Sequence, residues 1–241
     1  MFTRRPFQVK HIKFKAPPSQ SSNPHVLKTA GDDPRRKTLE EDGHRIWGLV
    51  LYRSTYKSDA DWAEFMHRLQ LNTQKFMEIS HPPDLINSFR LTVMQDQAAF
   101  DGATTSAIRE HFKRWTETAV EEEQGAGARP RHAQRYQYCL QVDEDALETV
   151  VRQTPGPEYP RHLNEAGYVK IINRDWEPYD PVEYQDGEFI GEDPEEPIDG
   201  CTLHDVGWMK VSYLTIISLF DYLRGLHGWD EYRRPPALWL R

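Results

Sequence analysis

The sequence predicts an α+β fold, in the form of a ferredoxin-like split βαβ sandwich with an inserted helix. Segments 46–94 and 136–172 each show strand, helix and strand patterns, and a helical segment over 105–119 separates them. Three strand segments alternate polar and apolar residues, as strands with one covered and one wetter face do. The alternative is a Rossmann-like parallel sheet, because strands and helices follow each other along most of the chain.

The first half of this pattern begins with a short apolar run, 46–51, which predicts a strand. Ser58 and the acids after it form a helix-capping pattern, and apolar residues then recur at helical spacing over 59–79. Polar and apolar residues alternate over 89–94, which predicts a second strand. The threonine pair at 104–105 can cap the helix that follows.

The second half of the chain predicts three more strands and two more helices. The strands are 136–142, 167–172 and 207–211. Asp143 can cap a short helix, and Ser212 can cap the last helix, 213–224. Residues 181–200 contain eight acids together with Gly and Pro, and they are predicted to form a solvated acidic loop.

Charge divides the chain into two regions. Residues 1–31 hold six Lys or Arg and no acid, whereas the whole chain has a net charge of −8. We therefore expect a basic, flexible N-terminal arm over 1–44, followed by a single α+β domain over 45–241 that includes the acidic loop. The acidic domain argues against broad binding of nucleic acid, although basic residues 1–31 could contact a tRNA.

Cysteine usage and hydropathy predict a protein of the cytoplasm. The chain has two cysteines without zinc-ligand spacing and no apolar run of about 18 residues, so neither a structural zinc nor a membrane span is expected. The acid-free N-terminus leaves a mitochondrial presequence as the alternative, although Pro6, Pro17 and Pro18 would interrupt its helix. Dinucleotide and Walker A motifs are absent from the sequence, and we expect no cofactor and no metal.

Most of the candidate functional residues follow the predicted strands, whereas Asp205 precedes the strand 207–211. If the βαβ pattern is right, these strand ends meet at one edge of the sheet, where polar groups can bind a ligand. The candidate catalytic residues are Arg53, Glu144 and Asp205. The candidate ligand-binding residues are Tyr52, Thr55, Tyr56, Asp96 and Asp143. The competing interpretation is that turns and helix caps require polar residues at these positions in any protein.

Arg53 is the most informative of these candidates. A guanidinium directly after an apolar run must find an acceptor or reach water. It could pair with an acid of its own chain, such as Asp96 or Asp143, or bind a carboxylate or phosphate of a ligand. Asp143 is the expected helix cap, so Glu144 beside it is freer to act as an acid or base.

Four segments resemble a large group of ascomycete proteins with no established activity. They are RIWGLVLYRSTY (45–56), which contains a WG-x-V-x-YR-x-x-Y strand-turn motif, YQYCLQVDEDALETV (136–150), DVGWMKV (205–211) and WDEYRRPP (229–236). The resemblance spans most of residues 45–236. It implies a fungal source and a single domain, and it implies no mechanism.

Three functions are compatible with these observations. The first is an enzyme or small-molecule-binding protein of fungal secondary metabolism, with a polar site at the strand ends around Arg53. The second is a tRNA-dependent, arginine-containing cyclodipeptide synthase, in which the basic arm would meet the tRNA. The third is a non-catalytic protein-interaction module whose contact surfaces are the acidic loop and the Trp-rich C-terminal segment.

Overall fold

The computed structural model describes residues 8–18, 33–130, 133–154, 167–179, 184–185, 188–189, 193–223 and 228–239. The strands are β1 (Val9–Lys13), β2 (Val50–Arg53), β3 (Arg90–Met94), β4 (Tyr138–Val142), β5 (Tyr168–Asn173), β6 (Tyr184–Gln185), β7 (Glu188–Phe189), β8 (Trp208–Ser212) and β9 (Leu238–Trp239). The helices are α1 (Pro34–Asp42), α2 (Asp59–Ser80), α3 (Pro83–Ser88), α4 (Gln97–Phe100), α5 (Thr105–Gln124), α6 (Gln134–Gln137), α7 (Glu144–Glu148) and α8 (Ile216–Tyr222). A π-helical turn, Thr149–Gln153, continues α7, and a 3₁₀ turn spans Gly228–Glu231.

Seven strands form one mixed sheet in the order β1-β3-β2-β4-β5-β8-β9, and β6 pairs with β7 separately. The three central strands β3, β2 and β4 are parallel. β1 and β5 run antiparallel to them, and β8 pairs antiparallel with β5, so β8 has the direction of β4. The carboxyl ends of β2, β3 and β4 therefore lie at one edge of the sheet, as the sequence predicts.

The protein belongs to the predicted α+β class, since helices accompany a mixed sheet. The finer prediction of a ferredoxin-like sandwich is not confirmed. The first βαβ half exists, because α2 joins the parallel neighbours β2 and β3. The second half does not, because β4 and β5 are antiparallel neighbours. Sequence periodicity cannot distinguish these cases, since side chains alternate in the same way in both kinds of strand.

Helices pack on both faces of the sheet and create two apolar cores. On one face Leu51 packs with Phe65 of α2, and on the other Tyr52 packs with Phe112 of α5. The expected wetter face is therefore wrong for the centre of the sheet. Its polar side chains are buried beneath α5 and hydrogen-bonded instead, as Arg135 Nη2 shows by donating to Thr92 Oγ1 at 2.7 Å.

Local signals position most of the helices correctly. Three of the predicted cap side chains accept a hydrogen bond from the first helical turn; they are Ser58, Thr104 and Asp143. Ser212 does not cap the last helix, which begins at Ile216 after Thr215. The first strand begins at Val50 rather than 46, because Gly48 has a φ of 122°, which interrupts the extended backbone. The position requires glycine, since a side chain there would meet the Arg90 carbonyl.

Regular structure begins before residue 45, inside the predicted arm. β1 pairs along β3 at the edge of the sheet, Phe14 packs on Phe89, and α1 follows at 34–42. Of the acidic loop, residues 181–183, 186–187 and 190–192 lie outside the described residues. In the described part of the chain, no helix combines the length and the apolar character needed to cross a membrane.

Candidate functional site

An open cavity of about 350 Å³ lies at the carboxyl ends of β2 and β4; we call it the strand-end cavity. It is lined by Ser54, Thr55, Lys57, Asp101, Gly102, Ala103, Thr104, Thr105, Gln141, Asp143, Glu144, Asp145, Lys170 and Asp199. The residues come from the turns after β2 and β4, the amino end of α5, the start of β5 and the segment before β8. All the lining side chains except those of Gly102 and Ala103 are polar or charged.

The topology of the sheet places the cavity there. β2 leads through α2, on one face, to β3, and β3 leads through α5, on the other face, to β4. Because the two connections leave on opposite faces, a crevice opens outside the carboxyl ends of β2 and β4. Ligand sites in open α/β sheets occur at such a topological switch point, where the order of the strands reverses.

Thr55 and Glu144 are the predicted site residues that the fold brings into contact. Thr55 Oγ1 donates a short hydrogen bond to Glu144 Oε2, and Lys57 Nζ lies 3.8 Å from Glu144 Oε1. The Glu144 side chain retains 24% of its exposure. A carboxylate with one hydroxyl donor, one nearby cation and access to solvent can exchange a proton with a bound molecule.

Asp143 also lines the cavity, but its oxygens are already engaged. One accepts from the Ala146 amide at 3.0 Å and caps α7, and the other lies 2.6 Å from Lys170 Nζ. Lys170 in turn lies over the Trp208 ring at 4.6 Å. These contacts favour a positioning role for Asp143 over direct chemistry.

Gln141 is the most buried of the lining residues that the sequence analysis missed. Its side chain is 1% exposed, and its Nε2 donates to Ser54 Oγ at 3.0 Å and to the Ala103 carbonyl at 2.8 Å. Its Oε1 is buried and has no hydrogen-bond partner among the residues that the structure describes. The available signal was a polar residue in an otherwise apolar strand, on the face shared with Cys139, at the carboxyl end of that strand.

Arg53 does not line the cavity. Its side chain points to the opposite face, where Nε donates to the Thr55 carbonyl at 2.8 Å and Nη2 donates to Asp59 Oδ1 at 2.6 Å. The guanidinium also lies over the rings of Tyr56 at 4.3 Å and Trp62 at 5.0 Å. Its partner is thus an acid of its own chain, in the first turn of α2, and not the Asp96 or Asp143 that the sequence suggested.

The phenols flanking Arg53 lie outside the cavity lining as well. Tyr52 is fully buried in the core beneath α5, where its hydroxyl lies 2.9 Å from Nδ1 of His111. Burial, with the nearby acids Asp96 and Asp101, raises the pKa of Tyr56 to about 12 in spite of Arg53. Both phenols are therefore protonated at neutral pH and belong to the packing around the turn.

Asp96 and Asp205 are not brought together with Glu144. Asp96 caps α4 through the Ala98 amide at 3.1 Å. Asp205 precedes β8, which has the direction of β4, so it lies at the edge of the sheet opposite the cavity. There it accepts from Trp229 Nε1 at 2.7 Å, and burial raises its pKa. The structure therefore places Asp205 and Glu144 at opposite edges of the sheet, because Asp205 precedes β8 whereas Glu144 follows β4.

No family model, curated protein or solved structure matches this chain significantly. Among the described residues, no three His, Cys, Asp or Glu side chains are grouped as a metal ion would require. The chemistry of the strand-end cavity therefore has to be inferred from its own side chains.

Proposed function

We propose that the protein binds a small polar molecule in the strand-end cavity and that Glu144 is the acid–base group of this site. The observation that carries the proposal is Gln141, a lining residue whose buried Oε1 has no hydrogen-bond partner among the described residues. An unpaired buried acceptor costs on the order of 1–3 kcal/mol, and a ligand that donates a hydrogen bond would recover that cost. The cavity size, its polar lining and its position at the topological switch point of the sheet support the same function.

Two features support the role of Glu144. Asp143 is held by the helix cap and Lys170, whereas Glu144 keeps part of its surface exposed to the cavity. Thr55 and Lys57 contact different oxygens of Glu144 and would fix the direction from which it approaches a ligand. Proton transfer requires such a group within hydrogen-bond reach of the reacting atom.

A thermal-denaturation screen with small polar compounds would test the proposal. The panel should contain amino acids, amines, polyols, nucleosides and sugar phosphates. A compound at about 100 times its Kd should raise Tm by roughly 5 °C or more. The shift should be lost in Gln141→Met, which keeps the side-chain length, and reduced in Glu144→Gln.

Glu148→Gln provides the matched control, because Glu148 is also an acid of α7 but does not line the cavity. It should respond to the compound as the wild type does. Circular dichroism of each variant would establish that it is folded. A panel without any compound whose shift depends on Gln141 would contradict the proposed function.

A further inference from the structure

We infer that the group anchored in the strand-end cavity is a cation that donates N–H bonds, an ammonium or a guanidinium. This inference rests on the proposed function and specifies the chemical class of the ligand. It follows from two independent observations, the orientation of the Gln141 amide and the charge of the lining.

The orientation of the Gln141 amide is fixed by its neighbours. The Ala103 carbonyl can only accept a hydrogen bond, so the atom 2.8 Å away must be the Nε2 donor. The remaining atom of the amide is then Oε1, which can only accept. A molecule bound against it must present a donor, and the oxygens of a carboxylate or of a fully ionised phosphate cannot supply one.

The charge of the lining selects among possible donors. Five carboxylates and two lysines give it a net charge of −3. Lys170 and Lys57 lie beside Asp143 and Glu144. The other three acids have no ion-pair partner among the described residues; they are Asp101, Asp145 and Asp199. A cation in the cavity would be attracted by all three.

One feature of the cavity favours an anion over a cation. The amino end of α5 carries a partial positive charge of about half an elementary charge and reaches the lining at Thr104 and Thr105. This charge is smaller than the net charge of the acids. Asp199 lies on the α5 side, since its Oδ2 is 3.4 Å from Thr105 Oγ1, and an anion approaching the helix end would meet that carboxylate.

A matched set of four probes tests the inference. Butylammonium and butylguanidinium carry the cation, while 1-butanol and butylurea have similar shapes and hydrogen-bond donors without charge. Binding would be followed by titration of the full chain, using the side-chain amide NMR signal of Gln141 to locate the probe. We expect each cation to bind at least about tenfold more tightly than its neutral partner, and the difference to shrink as salt is added.

Two variants separate the charge from the donor. Asp199→Asn should reduce the preference for the cations, and Gln141→Met should weaken all four probes, whereas Glu148→Gln should change neither. Equal binding of charged and neutral probes would contradict the inference that the ligand is a cation, but it would not contradict the proposed function. The inference would also be contradicted if no probe binds, or if the probes bind Gln141→Met as tightly as the wild type. In that case the wider compound panel decides the proposed function separately.

Discussion

Replacing Arg53 by methionine would distinguish a structural residue from a site residue. Arg53 is the last residue of β2, and ligand binding is one of the two roles that the sequence allows for it. The structure instead pairs its guanidinium with groups of its own chain: the Thr55 carbonyl, Asp59 and two aromatic rings. Methionine fills part of the space and removes the charge and all five N–H donors.

The expected loss of stability follows from these contacts. The charged hydrogen bond to the Thr55 carbonyl contributes about 1.5–3 kcal/mol. The pair with Asp59 adds only about 0–1 kcal/mol, because the Asp59 side chain is 89% exposed. Stacking on the rings of Tyr56 and Trp62 contributes about 0.5–2 kcal/mol. Since methionine recovers some packing, Arg53→Met should lower the free energy of unfolding by about 2–4 kcal/mol.

Urea unfolding followed by tryptophan fluorescence would measure this change. Ligand affinity, measured on the fraction that remains folded, should be close to that of the wild type. Asp59→Asn is the matched control, and we expect it to cost less than about 1 kcal/mol. If Arg53→Met had wild-type stability but did not bind the ligand, the structural role would be refuted. Arg53 would then have to contribute to ligand binding.

Three further predictions concern buried groups elsewhere in the fold. Arg135→Met should destabilise the protein by about 3–5 kcal/mol, because it removes a buried guanidinium and leaves the Glu123 side chain, which is only 13% exposed, without its partner at 2.6 Å; adding Glu123→Leu should recover much of the loss. Alkylation of the native protein should modify Cys201 but not Cys139, whose complete burial raises its pKa; both thiols should react in urea. Burial lowers the pKa of His81 below 6.5, so the folded state favours the neutral ring, and its contribution to stability is lost as pH falls below that value. In His81→Phe the fall in unfolding free energy from pH 7 to pH 5 should be smaller.

Each of these three predictions has a result that contradicts it. Additive losses in the Arg135 and Glu123 double variant would mean that the two side chains do not act as a pair. Rapid modification of Cys139 in the native protein would show that the core beneath α5 opens. An unchanged pH profile in His81→Phe would assign the acid sensitivity to other groups.

The sequence predicts the features that depend on local chemistry. Ser58, Thr104 and Asp143 cap their helices because a short polar side chain reaches the amides of the next turn wherever the helix lies. It also predicts that Thr55 and Glu144 lie at a common edge, because β2 and β4 are parallel neighbours. These predictions require only the order of strands and helices.

What the sequence does not predict depends on contacts between distant segments. The direction of β5 decides that Asp205 lies opposite Glu144, and nothing in the alternation of residues 168–173 encodes that direction. Gln141 resembles a solvent-facing residue of a half-buried strand until α5 and Ala103 cover it. Arg53 finds its partner six residues along the chain, in a turn whose geometry sequence spacing does not specify.

The position of β1 changes what the basic residues near the start of the chain can mean. Among the described strands β1 lies at the edge of the sheet, and an edge strand is where another strand can add itself through backbone hydrogen bonds. Lys10 and Lys13 lie on it with exposed side chains, and lysine on an edge strand discourages another chain from adding itself there. Part of the basic charge near the start of the chain thus lies where it would oppose self-association. Removing residues 1–44 would expose β3 and should therefore cause aggregation. If such a truncated protein failed to bind a partner, aggregation would explain the loss without any binding site in residues 1–44.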